Sequence, residues 1–270
     1  MNRIPTLLAP VVQNVSRSSA GDNREADRLP QLNTSVHHRL YYPTNFVSSY
    51  DYPLIVWLHS QGSSEYELDS VMNALSDQNY LALAPRANRR CKSKSRIFKW
   101  GENVLDYAFA EDAVWECIES AIDCLPVRSD RIFLAGFGHS GTIAQWIGWQ
   151  SPDSVAGVVS LSGPMPSLLG SMTQWKAIKE LPVLFAQRKG ATICSDADLG
   201  YAIQMAHRSS LSYRFLQLQS EQDSFGESDE LSTGMLAAAN RFLMGIVTES
   251  EVSLCPEVSR DHLVGPFGIN

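Results

Sequence analysis

Residues 131–142 read RIFLAGFGHSGT, an apolar run followed by a glycine-rich turn and the start of a helical pattern. A strand, a sharp turn and a helix in that order is the junction at which a G-x-S-x-G motif holds out a nucleophilic serine. The central position here is Gly138, which has no side chain with which to attack. Two residues on, Ser140 stands in a weak G-x-S-x-T with Gly138 and Thr142, and it is the alternative nucleophile. Over two residues a helix turns by roughly 200° and climbs about 3 Å, which aims Ser140 away from the direction residue 138 faces. Its other reading is a small residue that lets the helix pack closely on the sheet.

Acyl-transfer chemistry also needs oxyanion donors and a base. His59, Ser60, Gln61 and Gly62 follow another apolar run. Backbone amides of that loop, with the amide of His139, are expected to form a donor pocket beside Gly138. These six residues are the candidate ligand-binding set. The free amides and positive dipole end at His139 suit a small anionic or acyl ligand. His59 is equally suited to closing a strand end by structural hydrogen bonds. None of the six histidines is well placed as a base. His139 directly follows the turn and is expected to face outward, His207 lies in a helical run, and His262 lies near the end of the chain.

Residues 86–99 (RANRRCKSKSRIFK) hold seven basic residues and no acids, on a chain whose net charge is −7. This reversal of sign fits a loop that recognises an anion or docks a protein partner, or else a solvated loop. The overall acidity argues against nucleic acid as the main partner. The five cysteines are scattered and odd in number. Cys117 and Cys124 sit on the apolar side of an expected helix and read as buried small hydrophobes. No Cys/His set has zinc-ligand spacing, and the glycines of the turn do not form a dinucleotide fingerprint, so neither a metal nor a cofactor is expected.

The elements that must position these residues follow from hydrophobic patterning. Dense apolar runs at 53–59, 80–84, 132–137, 155–161 and 182–186 read as strands buried on both faces, and 36–42 and 213–218 as further strands. Helical spacing marks 68–75, 104–125, His139–Gln150, 198–208 and 229–248. Alternating strands and helices imply an α/β fold with a mostly parallel central sheet and helices on both faces. At 270 residues with 44% hydrophobic content, one large domain over 34–248 is expected. Residues 1–33 read as a flexible arm and 249–270 as an irregular tail. No stretch is apolar enough to span a membrane, and no secretory signal is read at the N-terminus, so a cytoplasmic location is the expectation.

Four segments in order, PLIVWLHSQGSS (53–64), APR (84–86), RIFLAGFGHSG (131–141) and VVSLSGPMP (158–166), resemble the phospholipase/carboxylesterase family of α/β-hydrolases. That family includes acyl-protein thioesterases, and the resemblance spans about residues 36–248. It implies an α/β-hydrolase fold and, in active members, a Ser–Asp–His triad that cleaves esters or thioesters. It also implies where each triad residue would stand. The serine falls on Gly138, the aspartate on Ala191 and the histidine on Asp229. Asp196 and Asp198 follow the second position but are better placed to begin a helix. Three replaced positions imply an inactive homologue that binds a ligand or partner. The alternative is an active carboxylic-ester or thioester hydrolase with a non-standard site built on Ser140.

Overall fold

In a computed structural model, the described residues are 29–91, 96–166, 174–219 and 230–254, without the side chains of 250–254. The elements named below all lie within Gln31–Asn270. The strands are β1 (His38–Tyr41), β2 (Tyr52–Leu58), β3 (Leu81–Pro85), β4 (Arg89–Arg90), β5 (Phe98–Lys99), β6 (Val127–Phe137), β7 (Gly157–Leu161), β8 (Val183–Arg188) and β9 (Tyr213–Leu218). The helices are α1 (Glu67–Leu75), α2 (Val104–Cys124), α3 (His139–Gln150), α4 (Trp175–Glu180), α5 (Asp196–Ser209) and α6 (Thr233–Leu254).

Seven strands form one sheet in the order β1-β3-β2-β6-β7-β8-β9. All neighbours run parallel except β1, which pairs antiparallel with β3. The apolar runs are explained by what covers them. All seven residues of β2 (YPLIVWL) are buried, because helices lie on both faces. Leu54, Val56 and Leu58 join the core under α2 and α3, while Ile55 and Trp57 face the opposite core under α1 and α6. Leu68, Val71, Met72 and Leu75 form the buried stripe of α1, each contributing about 1.5–3 kcal/mol of burial. In α3 every residue from Ser140 to Trp149 is buried, so the helix that begins at the turn is enclosed on all sides.

Three elements differ from the sequence reading. The basic run is not a plain loop: Arg89–Arg90 and Phe98–Lys99 pair as a short antiparallel hairpin. Phe98 anchors it, its amide bonding to the carbonyl of Ser63 and its ring lying under the Arg86 guanidinium. The last helix continues past Thr248 to Leu254, where an irregular tail was expected. Packing on the N-terminal side begins within the expected arm, where the Asn33 amide donates to Ser120 Oγ at 2.7 Å.

The junction between β6 and α3 is close-packed backbone to backbone. A Cβ added at Gly136 would lie 2.6 Å from the backbone carbon of Ser140 and 2.9 Å from the nitrogen of Gly141. Nothing there is a movable side-chain end. Gly136→Ala is expected to cost about 3 kcal/mol in urea unfolding, the upper end for overpacking. Gly245→Ala meets nothing within 4 Å in α6, so it is expected to stabilise by about 1 kcal/mol in the same assay.

Candidate functional site

The turn after β6 places Gly138 at φ 62° and ψ −133°. That region is open to glycine and costly for any L side chain. The Gly138 amide donates to Leu161 O on β7 at 2.7 Å, and its carbonyl accepts from Gly141 N at 2.9 Å. A Cβ at 138 would point toward Ile193, 3.4 Å from its Cγ2, which is ordinary contact. Ile193 and Gly138 both line a cavity of about 660 Å³. Residue 138 is therefore the position that this turn holds out to a cavity, and it carries no side chain.

Of the candidate binding residues, Ser60, Gln61, Gly138 and His139 line this cavity, and His59 and Gly62 do not. Phe137, Ile193 and Leu231 supply its apolar wall. His139 is half-buried, and its Nε2 donates to Gly101 O at 3.0 Å. Its ring thus turns toward the start of α2 instead of outward. The Gln61 side chain is fixed by a reciprocal pair, donating to Trp100 O at 2.9 Å and accepting from Trp100 N at 3.0 Å.

Ser140 does not face the cavity. It is fully buried, and its hydroxyl donates to the His59 carbonyl at 2.6 Å. The same carbonyl accepts from Trp100 Nε1 at 2.9 Å. The Ser140 side chain ties the end of β2 to the first turn of α3. It does more than leave room for packing.

His59 is fully buried with both ring nitrogens in use. Nε2 accepts from the Ala87 amide at 3.1 Å, so Nδ1 holds the proton and donates to Ser60 O at 2.9 Å. Burial lowers its pKa, overriding the Ser60 carbonyl and the nearby Glu67 and Glu65 carboxylates. A second proton would set an N–H against the Ala87 N–H. His59 is a structural residue in this arrangement.

The loop carries a charge that sequence spacing did not reveal. The Glu67 carboxylate, at the start of α1, accepts from Ser60 N at 3.1 Å, Ser60 Oγ at 2.8 Å and Trp57 Nε1 at 2.9 Å. It lines the same cavity, as does Glu230, and among the described residues neither lysine nor arginine does. Negative charge developing beside Gly138 would meet a carboxylate where oxyanion chemistry needs donors. Sequence reasoning also missed Gln145. This buried side chain donates to Ser160 Oγ at 2.9 Å and Gly163 O at 3.1 Å, and accepts from Tyr213 OH at 2.9 Å. The network locks α3 to β7 and β9. No periodic signal marks it.

Ala191 lies buried in the turn after β8, its amide donating to Arg188 O at 3.2 Å. Asp198 forms the capping box of α5 with Ser195, whose amide and hydroxyl it accepts at 2.9 and 2.6 Å. Asp196 accepts from Gln217 at 3.2 Å. Asp229 lies outside the described residues.

The His59 geometry fixes a sign for pH dependence. Its pKa in the folded chain is depressed, so the unfolded chain takes the proton first. Stability is full above the usual histidine value of about 6.5 and declines as pH falls toward the depressed folded value. His59→Gln keeps an acceptor for Ala87 but cannot titrate. Urea unfolding at pH 7.5 and 5.5 is expected to give a smaller acid loss for this variant than for the parent, by up to about 1.4 kcal/mol per pH unit.

No protein-family model matches the chain, and no relative is found among curated proteins. Among solved structures, a carboxylesterase from Mesorhizobium loti superposes with a TM-score of 0.61 at 13% identity, covering 80% of this chain and 99% of that one. The Bacillus cereus carboxylesterase gives 0.58 at 15% identity, covering 79% and 96%. A phospholipase/carboxylesterase from Dyadobacter fermentans gives 0.53 at 10% identity, covering 78% and 97%. Across the described residues the chain has the α/β-hydrolase fold, a mostly parallel seven-stranded sheet with helices on both faces, in the arrangement these esterase structures share.

Proposed function

We propose that this chain is a non-catalytic member of the α/β-hydrolase fold that binds a small uncharged acyl-type ligand in the cavity beside Gly138. The supporting observation is Gly138 itself, the residue presented to the cavity and devoid of a nucleophile. Loss of any one triad residue leaves only ~10³–10⁴-fold catalysis over water from binding and oxyanion donors. Ala191, which the family resemblance aligns with the acid, can neither orient nor charge-balance a histidine. Asp229, aligned with the base, is an acid and not an imidazole.

The cavity wall narrows the ligand further. Phe137, Ile193 and Leu231 offer apolar surface, and Glu67 and Glu230 oppose a free anion. An acyl chain bearing a neutral amide or ester head satisfies both, whereas a free carboxylate does not. This narrows the sequence expectation of an anionic or acyl ligand to the acyl part.

A fluorophosphonate probe reacts only with an activated serine. The expected outcome is no covalent mass increase and p-nitrophenyl butyrate hydrolysis at the buffer rate. Labelling at Ser140 that disappears in Ser140→Ala would overturn the proposal. In thermal unfolding, hexanamide is expected to raise Tm and sodium hexanoate to leave it unchanged. The reverse order would remove the uncharged-ligand assignment.

A further inference from the structure

A second cavity, of about 520 Å³, opens beside the end of β3 and the β4–β5 hairpin. Arg86, Arg90, Arg96 and His37 line it, with Ser64 and Phe98. We propose that this cavity is a binding site for a phosphate group, carried by a small phosphomonoester. The inference goes beyond the reading of the Gly138 cavity and does not depend on it.

Three guanidiniums converge on one concavity of a chain whose net charge is −7. Among the described residues the wall has one carboxylate, Glu65, which is almost wholly buried and paired with Arg86. Arg86 Nε donates to Glu65 Oε2 at 2.9 Å, and Arg86 Nη2 donates to the other oxygen. The Arg86 guanidinium also lies 4.6 Å from the centre of the Phe98 ring. Arg86 is thereby fixed in place, with its charge balanced by Glu65. Arg90 and Arg96 are exposed and form no ion pair with a carboxylate among the described residues. Like charges held together in a concavity repel unless an anion sits between them.

The ligand chemistry follows from the donors. Guanidinium forks match the paired oxygens of phosphate, and Ser64 adds a hydroxyl to the wall. The volume exceeds what a bare phosphate fills, since a water occupies only about 30 Å³. Room remains for a small organic group beside Phe98 and Tyr66. A concave site of this size does not suit a nucleic-acid backbone, which tracks along open basic surface.

Calorimetric titration with inorganic phosphate and with phenyl phosphate tests the proposal, at ionic strength matched with sodium chloride. Both are expected to bind with sub-millimolar Kd. Tighter phenyl phosphate assigns an ester, and equal affinity limits the site to inorganic phosphate and overturns the ester. Arg90→Gln and Arg96→Gln are each expected to weaken binding by about tenfold, the loss of one charge-assisted contact. Lys99→Gln removes the same charge from the same hairpin, but Lys99 faces a neighbouring hollow with Arg89 and Asp106. Its effect is expected to stay under about twofold. Equal loss in Lys99→Gln, or no heat with either probe at millimolar concentration, would refute the site. Arg86 is left intact, because its removal strands the buried Glu65.

Discussion

The close approach of the first turn of α3 to β6 and β7 governs the region around the Gly138 cavity. Backbone meets backbone there, with no Cβ between. A Cβ at Gly141 would lie 2.7 Å from Ser160 Oγ and 2.9 Å from Gly136 O. Contact this close brings Gly138 N to Leu161 O and carries Ser140 to the His59 carbonyl. It also sets Gln145 within reach of β7, the loop after it and β9. The position of the helix amides beside the cavity is thus a packing result. It survives whether or not residue 138 can react.

The segment from His59 to Glu67 divides two electrostatic environments. Glu65 turns to Arg86 and the basic cavity, and Glu67 turns to Ser60 and the Gly138 cavity. Burial would raise the Glu65 carboxyl, but the Arg86 hydrogen bonds and charge outweigh it and hold its pKa below the usual value. Such a pair contributes little net stability, because desolvation offsets attraction. What it does is fix the side on which each charge lies. Arg86 and the hairpin then face one way, and the Glu67 carboxylate faces the other. One short loop thus sets the Glu67 carboxylate on the wall of one cavity and holds Arg86 on the wall of the other.

The strands and the turn were legible because their determinants are local. Seven consecutive buried residues in β2 leave an unbroken apolar run, and the glycines around 138 advertise a turn whose geometry few other residues tolerate. The β4–β5 hairpin left no such trace. Its residues are charged, its strands are two residues long, and its anchor is Phe98 bonding to the distant Ser63. Glu67 was equally silent. An acid in the first turn of a helix reads as dipole compensation, and only the folded loop brings Ser60 and Trp57 to it. Gln145 sits in the middle of an apolar helix and looks like a tolerated exception until Tyr213 arrives from β9, 68 residues on. Local chemistry is written in the chain, whereas partners distant in sequence are not.

The backbone at Gly138 adds a last energetic step. An L residue held in such a region stores about 1–3 kcal/mol of strain, and a nucleophile there would have to carry it. Glycine removes that strain, at a cost of about 0.5–1 kcal/mol in the freedom it loses on folding. The balance favours glycine, so the turn is at rest instead of loaded. Gly138 also clears the space in front of Ile193, since no side chain projects from the turn. A strained turn with a hydroxyl trades stability for reactivity. This turn borders a cavity, carries no hydroxyl and is free of that strain.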